Sequence, residues 1–111
     1  MNPDLNRLEH MIDACNKIIQ FTAVDYSVYE NSEEKQAAVA RYFEILGEAA
    51  NKISDDLKKQ HPNIPWRVAT CLRNILIHDY VKVDYSELWK TAKEDIPSML
   101  PELQSIFSSL L

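Results

Sequence analysis

A single glycine, Gly47, in 111 residues is the strongest constraint on what this chain can become. Hairpin turns favour glycine at positive φ, so a chain nearly without it lacks the turns that a sandwich or barrel needs. Hydrophobic residues make up 46% of the sequence, too many for a disordered or linker-like segment. A chain of this length holds one continuous core, so residues 1–111 are expected to form a single helical domain.

The helices are written in the apolar spacing. Asn2 and Pro3 have the form of an N-cap and a first-turn proline, with Asp4 at the positive end of the helix dipole. Leu5, Leu8, Ile12, Cys15, Ile18 and Ile19 then recur at threes and fours, a helix reaching about Thr22 with Arg7, Glu9, Asp13 and Lys17 facing water. Residues 23–31 lack that period and form a connector or an extension of the first helix. Asn31 or Ser32 caps a second helix, with Glu33 and Glu34 in its first turn and one apolar side from Val39 to Leu57. This long helix is expected to reach about Gln60. Gly47 in its middle costs about 1 kcal/mol relative to alanine, so either it admits a close neighbour together with Ala50 or it is simply tolerated.

His61-Pro62-Asn63-Ile64-Pro65 ends the second helix, and Pro65 opens a third. At about 100° per residue, Val68, Ala69, Leu72, Ile75 and Leu76 share a core stripe, while Arg67, Thr70, Arg73, Asn74 and His78 share a polar arc. Trp66 and Ile77 fall inside that arc. Two large apolar groups there suggest a face that meets a second subunit; the alternative is that Trp66 folds back onto the second helix. Asp84 caps a fourth helix, with Glu87 three positions on, and Pro97 is expected to stop it. A last helix begins at Ser98 or Leu100. Four to five helices with short connections make an all-α, antiparallel up-and-down bundle.

Composition narrows the function. Cys15 and Cys71 stand far apart with no CxxC pair, and the N-terminus has no signal-peptide pattern, as expected of a reduced cytoplasmic protein. No apolar run nears the roughly 20 residues of a membrane span. His10, His61 and His78 lack metal-ligand spacing, so neither metal nor other cofactor is expected. The net charge of −5 is unhelpful for nucleic acid, but residues 52–93 carry eight basic and five acidic side chains.

That basic third contains Arg73-Asn74-Ile75-Leu76-Ile77-His78-Asp79-Tyr80. Arginine clamps phosphate through a planar fork of donors, and histidine moves protons near neutral pH. Taken singly, each residue has an ordinary account: a solvated Arg73, a His78 at a helix end, a Tyr80 packing its ring. Chance supplies only about 0.1 Arg-x4-His pairs in a chain of this composition, and about 0.005 followed two residues later by tyrosine.

The stretch resembles the R-x4-H-x-Y signature of HepT-type toxins, a branch of the HEPN superfamily. Glu44-Ile45-Leu46-Gly47-Glu48-Ala49-Ala50-Asn51-Lys52 is similar to the family's I-G-E-A-A-K segment. Pro62-Asn63-Ile64-Pro65-Trp66 is similar to its P-x-I-P-W, and Val83-Asp84 and Leu88-Trp89 follow as in the family. The likeness covers about residues 8 to 100. Cys71 departs from it, standing where glycine is usual.

The resemblance implies a helical bundle that forms homodimers or larger assemblies and cleaves RNA without metal. It also implies a cognate nucleotidyltransferase antitoxin that transfers AMP to the motif tyrosine, here Tyr80. Arg73 and His78 are then the catalytic pair. Asn74, one turn before His78, is placed to orient the imidazole, and Arg67 and Lys82 are weaker candidates for RNA contacts. On one straight helix Arg73 and His78 diverge by about 140°, so either the helix ends near His78 or two chains combine their residues. A second functional class stays open: a non-catalytic subunit that binds a nucleotidyltransferase and helps it hold nucleotide or substrate.

Overall fold

The computed structural model describes residues 2–66, 69 and 83–111. Among these residues six helices and no strand occur: α1 (Pro3–Phe21), α2 (Tyr26–Glu30), α3 (Glu33–Lys52), α4 (Asp55–Gln60), α5 (Tyr85–Glu94) and α6 (Ile96–Leu110). The all-α expectation holds, with a finer division than four or five helices.

Local chemistry sets most of the ends. The Asn2 side chain accepts the Asp4 amide at 2.9 Å, capping α1 as its sequence implies. Ser32 caps α3 by accepting the Lys35 amide, with Glu33 and Glu34 behind it. Asp84 caps α5 through the amides of Ser86 and Glu87. Thr22 closes α1, its buried hydroxyl donating to the Ile18 carbonyl at 2.8 Å.

Three boundaries differ from the sequence expectation. The connector after α1 contains a short helix, α2, whose Tyr29 is wholly buried. The long second helix is broken at Ile53 and Ser54, both extended. Ser54 starts α4 by accepting the Leu57 amide, and the Asp4 carboxylate takes its amide at 2.9 Å and its hydroxyl at 2.6 Å. Pro97 does not stop α5. That helix ends at Glu94, and Pro97 lies in the first turn of α6, where a missing N–H costs nothing. Pro101 then sits inside α6.

Packing turns these pieces into a bundle. The start of α1 meets the end of α3 through Asp4 and Ser54, and its end stacks Phe21 on Tyr42, with ring centres 6.1 Å apart. The two helices therefore run antiparallel. Helix α6 also packs on α1, and α5 packs on α6. Leu8, Met11, Ile18, Tyr29, Val39, Phe43, Leu46, Ile96 and Leu103 are buried in one apolar cluster. Gly47 is buried beside Ala49 and Ala50, and its φ is not positive. Space, rather than backbone geometry, explains a glycine there.

Trp66 corrects the expectation of a face awaiting another chain. It is only 8% exposed, part of the core, and its indole N–H donates to the His61 carbonyl at 2.9 Å. The ring folds back within its own chain, onto the loop after α4. Ile77, its expected companion on that face, lies outside the described residues.

Candidate functional site

The motif segment is held at both flanks. On its N-terminal side, Ile64, Trp66 and Ala69 are buried, and the Ala69 amide donates to the Pro65 carbonyl at 3.2 Å. An i→i+4 bond of this kind means that a helix has begun after Pro65, where the sequence placed one. Trp66 ties this start to the preceding loop.

On its C-terminal side, Val83 packs against the core and Asp84 caps α5. The Ser86 hydroxyl and the Glu87 and Ser86 amides all donate to the Asp84 carboxylate, which lowers its pKa below the ordinary carboxylate value. One residue on, the buried Tyr29 hydroxyl donates to the Tyr85 carbonyl at 2.8 Å, fastening α5 to α2. Tyr26 and Tyr29 reinforce that joint against Trp89, with ring centres 5.3 and 4.9 Å away, and the Lys93 ammonium lies 4.8 Å from the Trp89 ring centre.

Arg67, Arg73, Asn74, His78, Tyr80 and Lys82 lie outside the described residues, as does Cys71. Their mutual geometry is therefore carried by the sequence alone. Cys15 is buried and free, and burial pushes its thiol up to about 12. Among the described residues no group of three or more His, Cys, Asp or Glu side chains could hold a metal ion, and no helix is long and apolar enough to cross a membrane.

Two clefts, each of about 230 Å³ and each lined by both polar and apolar side chains, escaped the sequence reading. One lies between the loop after α4 and α6, lined by His61, Asn63, Glu102, Ser105 and Ser109. The other lies between α1 and α3, lined by Arg7, His10, Glu48 and Lys52 over Ile45 and Ala49. Spacing had put Arg7 on a water-facing side. The i,i+3 and i,i+4 pairing of these four residues was the only signal that they share two faces.

A family model described as "Ribonuclease HepT-like" matches residues 11–106. The "Putative RNase MJ1380" of Methanocaldococcus jannaschii is 40% identical over 100 residues, which is 89% of this chain and 92% of that protein. The "Probable ribonuclease HepT" of Thermococcus cleftensis is 41% identical over 100 residues, 89% of this chain and 91% of its own. No solved structure matches the chain. The matched span contains Arg73, His78 and Tyr80 in the order and spacing singled out above.

Proposed function

This chain belongs to the HepT-like ribonuclease family, and from that premise we propose that it is a metal-independent endoribonuclease whose toxicity a partner enzyme holds in check. The observation that carries the proposal is Arg73, His78 and Tyr80 at R-x4-H-x-Y spacing inside the family match.

Each role follows from the side chain. The ribose 2′-hydroxyl attacks the adjacent phosphorus and the bond to the 5′-oxygen breaks, leaving a 2′,3′-cyclic phosphate and a 5′-hydroxyl. His78 takes the proton from the 2′-hydroxyl or gives one to the departing 5′-oxygen, either of which accelerates such a step by about 10² to 10⁴. Arg73 stabilises the charge that grows on the phosphorane oxygens, a contribution of about 3 kcal/mol when the donor is preorganised. Asn74 orients the imidazole, and Arg67 and Lys82 add attraction for the backbone. The divergence of Arg73 from His78 on a straight helix is met by a homodimer, in which each copy supplies part of the cleft.

Control acts through Tyr80. A cognate nucleotidyltransferase transfers AMP from ATP: the phenol oxygen attacks the α-phosphorus and pyrophosphate leaves. The added bulk and negative charge beside Arg73 then oppose the RNA phosphate.

The test is RNA cleavage by purified protein in EDTA. His78→Ala is expected to lose about 10² to 10⁴ in rate and Arg73→Ala about 10² to 10³, with helicity unchanged. Variants that cleave like the parent would sink the assignment. A parent that cleaves nothing but binds a nucleotidyltransferase would point to the non-catalytic subunit. For Tyr80, intact mass after co-expression with the partner should show AMP increments that disappear in Tyr80→Phe.

A further inference from the structure

The cleft between α1 and α3 has the composition of an anion site. Arg7 and His10 stand one turn apart on α1, and Glu48 and Lys52 one turn apart on α3. The antiparallel pairing of the two helices brings all four to one opening over an apolar floor of Ile45 and Ala49. The Lys52 ammonium lies 3.8 Å from the Glu48 carboxylate, which therefore holds it at the rim. Among the described residues, neither the Arg7 guanidinium nor the His10 ring has a hydrogen-bond or ion-pair partner.

The neighbouring acids are engaged elsewhere. Asp4, one turn before Arg7, is bonded to Ser54, and Glu44, one turn before Glu48, is paired with Arg41 at 3.2 Å. Glu48 is thus the one acid lining a cleft with two permanent cations, on a chain of net charge −5. The volume, about 230 Å³, falls below the roughly 300 to 1,000 Å³ of small-molecule pockets. A cleft of that size suits a phosphodiester group. The guanidinium fork suits phosphate oxygens, and Lys52 serves as a second point charge.

We propose that Arg7 and Lys52, with His10 beside them, form a notch for a backbone phosphate of the RNA substrate, separate from the cleaved one. The choice of RNA over another phosphate rests on the ribonuclease reading. Glu48 sets the strength of the notch by partly neutralising it.

The experiment is fluorescence anisotropy with a single-stranded 2′-O-methyl RNA of about 14 nucleotides. This probe lacks the attacking hydroxyl, so binding is read independently of cleavage. Arg7→Gln/Lys52→Gln is expected to weaken binding about fivefold or more and to make the log–log salt dependence shallower by about 1. Glu48→Gln, which removes only the counter-charge, is expected to tighten binding about two- to threefold, a gain that misfolding cannot produce. Unchanged affinity and slope in the double variant, or no gain in Glu48→Gln, overturns the notch. If the parent still cleaves RNA, the ribonuclease reading survives that result. A parent that binds no RNA also overturns the notch, and the cleavage assay then decides the ribonuclease reading on its own.

Discussion

Tyr29 shows how much one side chain decides here. It is wholly buried, yet its hydroxyl reaches across 56 positions of sequence to the Tyr85 carbonyl. Tyr29→Phe keeps the ring and removes only that bond, so it should cost about 1 kcal/mol in chemical denaturation. An unchanged midpoint would mean that the bond contributes nothing net. Burial raises the pKa of both Tyr29 and Cys15, the thiol to about 12 from an ordinary 9.0. A raised folded-state pKa contributes stability that is complete below the unfolded value and lost as pH rises toward the folded one. Stability should therefore decline from about pH 9 upward, and in Cys15→Ala the decline should begin about one unit later, where tyrosine starts to titrate. Denaturant midpoints measured across alkaline pH test this; coincident curves for parent and variant would rule Cys15 out as the source.

At the scale of elements, caps were legible and breaks were not. Asn2, Ser32 and Asp84 sit where N-caps belong and act as such. Ser54-Asp55-Asp56 carries the same signature, a cap followed by acids, but it stands inside an uninterrupted apolar stripe that favours continuing the helix. The break is secured by Asp4 from the start of α1, a partner 50 residues away. Ser54→Ala removes the cap and the hydroxyl bond to Asp4, leaving the backbone amide bond in place, and should cost about 1 to 2 kcal/mol. Hydrogen exchange in α4 should rise before that in α3; uniform loss across both would argue against a local cap. Pro101 lies within α6, where proline lacks the amide that would bond one turn back. Pro101→Ala should raise stability by about 1 kcal/mol or more, less whatever proline saves by restricting the unfolded chain. A lower melting temperature in that variant would show that α6 is shaped around the proline.

For the whole molecule, the open question of function is one of assembly. If two chains share the proposed site, as the straight-helix divergence of Arg73 and His78 in sequence suggests, specific ribonuclease activity should fall as the protein is diluted through its association range. Activity proportional to chain concentration down to the monomer, tracked by mass photometry or ultracentrifugation, would exclude a shared site. The burial of Trp66 removes one reason to expect a dimer through that face. The helical wheel had projected Trp66 outward, seven residues back from Arg73, yet the residue belongs to the turn where helix and loop join and packs with the loop. The sequence by itself determined the helical class, the caps and the ribonuclease motif, because propensity, capping and motif spacing are properties of neighbours along the chain. Only the tertiary structure decided the break at Ser54, the inward Trp66, the Tyr29–Tyr85 bond and the meeting of Arg7 with Lys52. All but Trp66, which bonds five positions back, join residues far apart in sequence, and no local pattern states which helices will lie side by side.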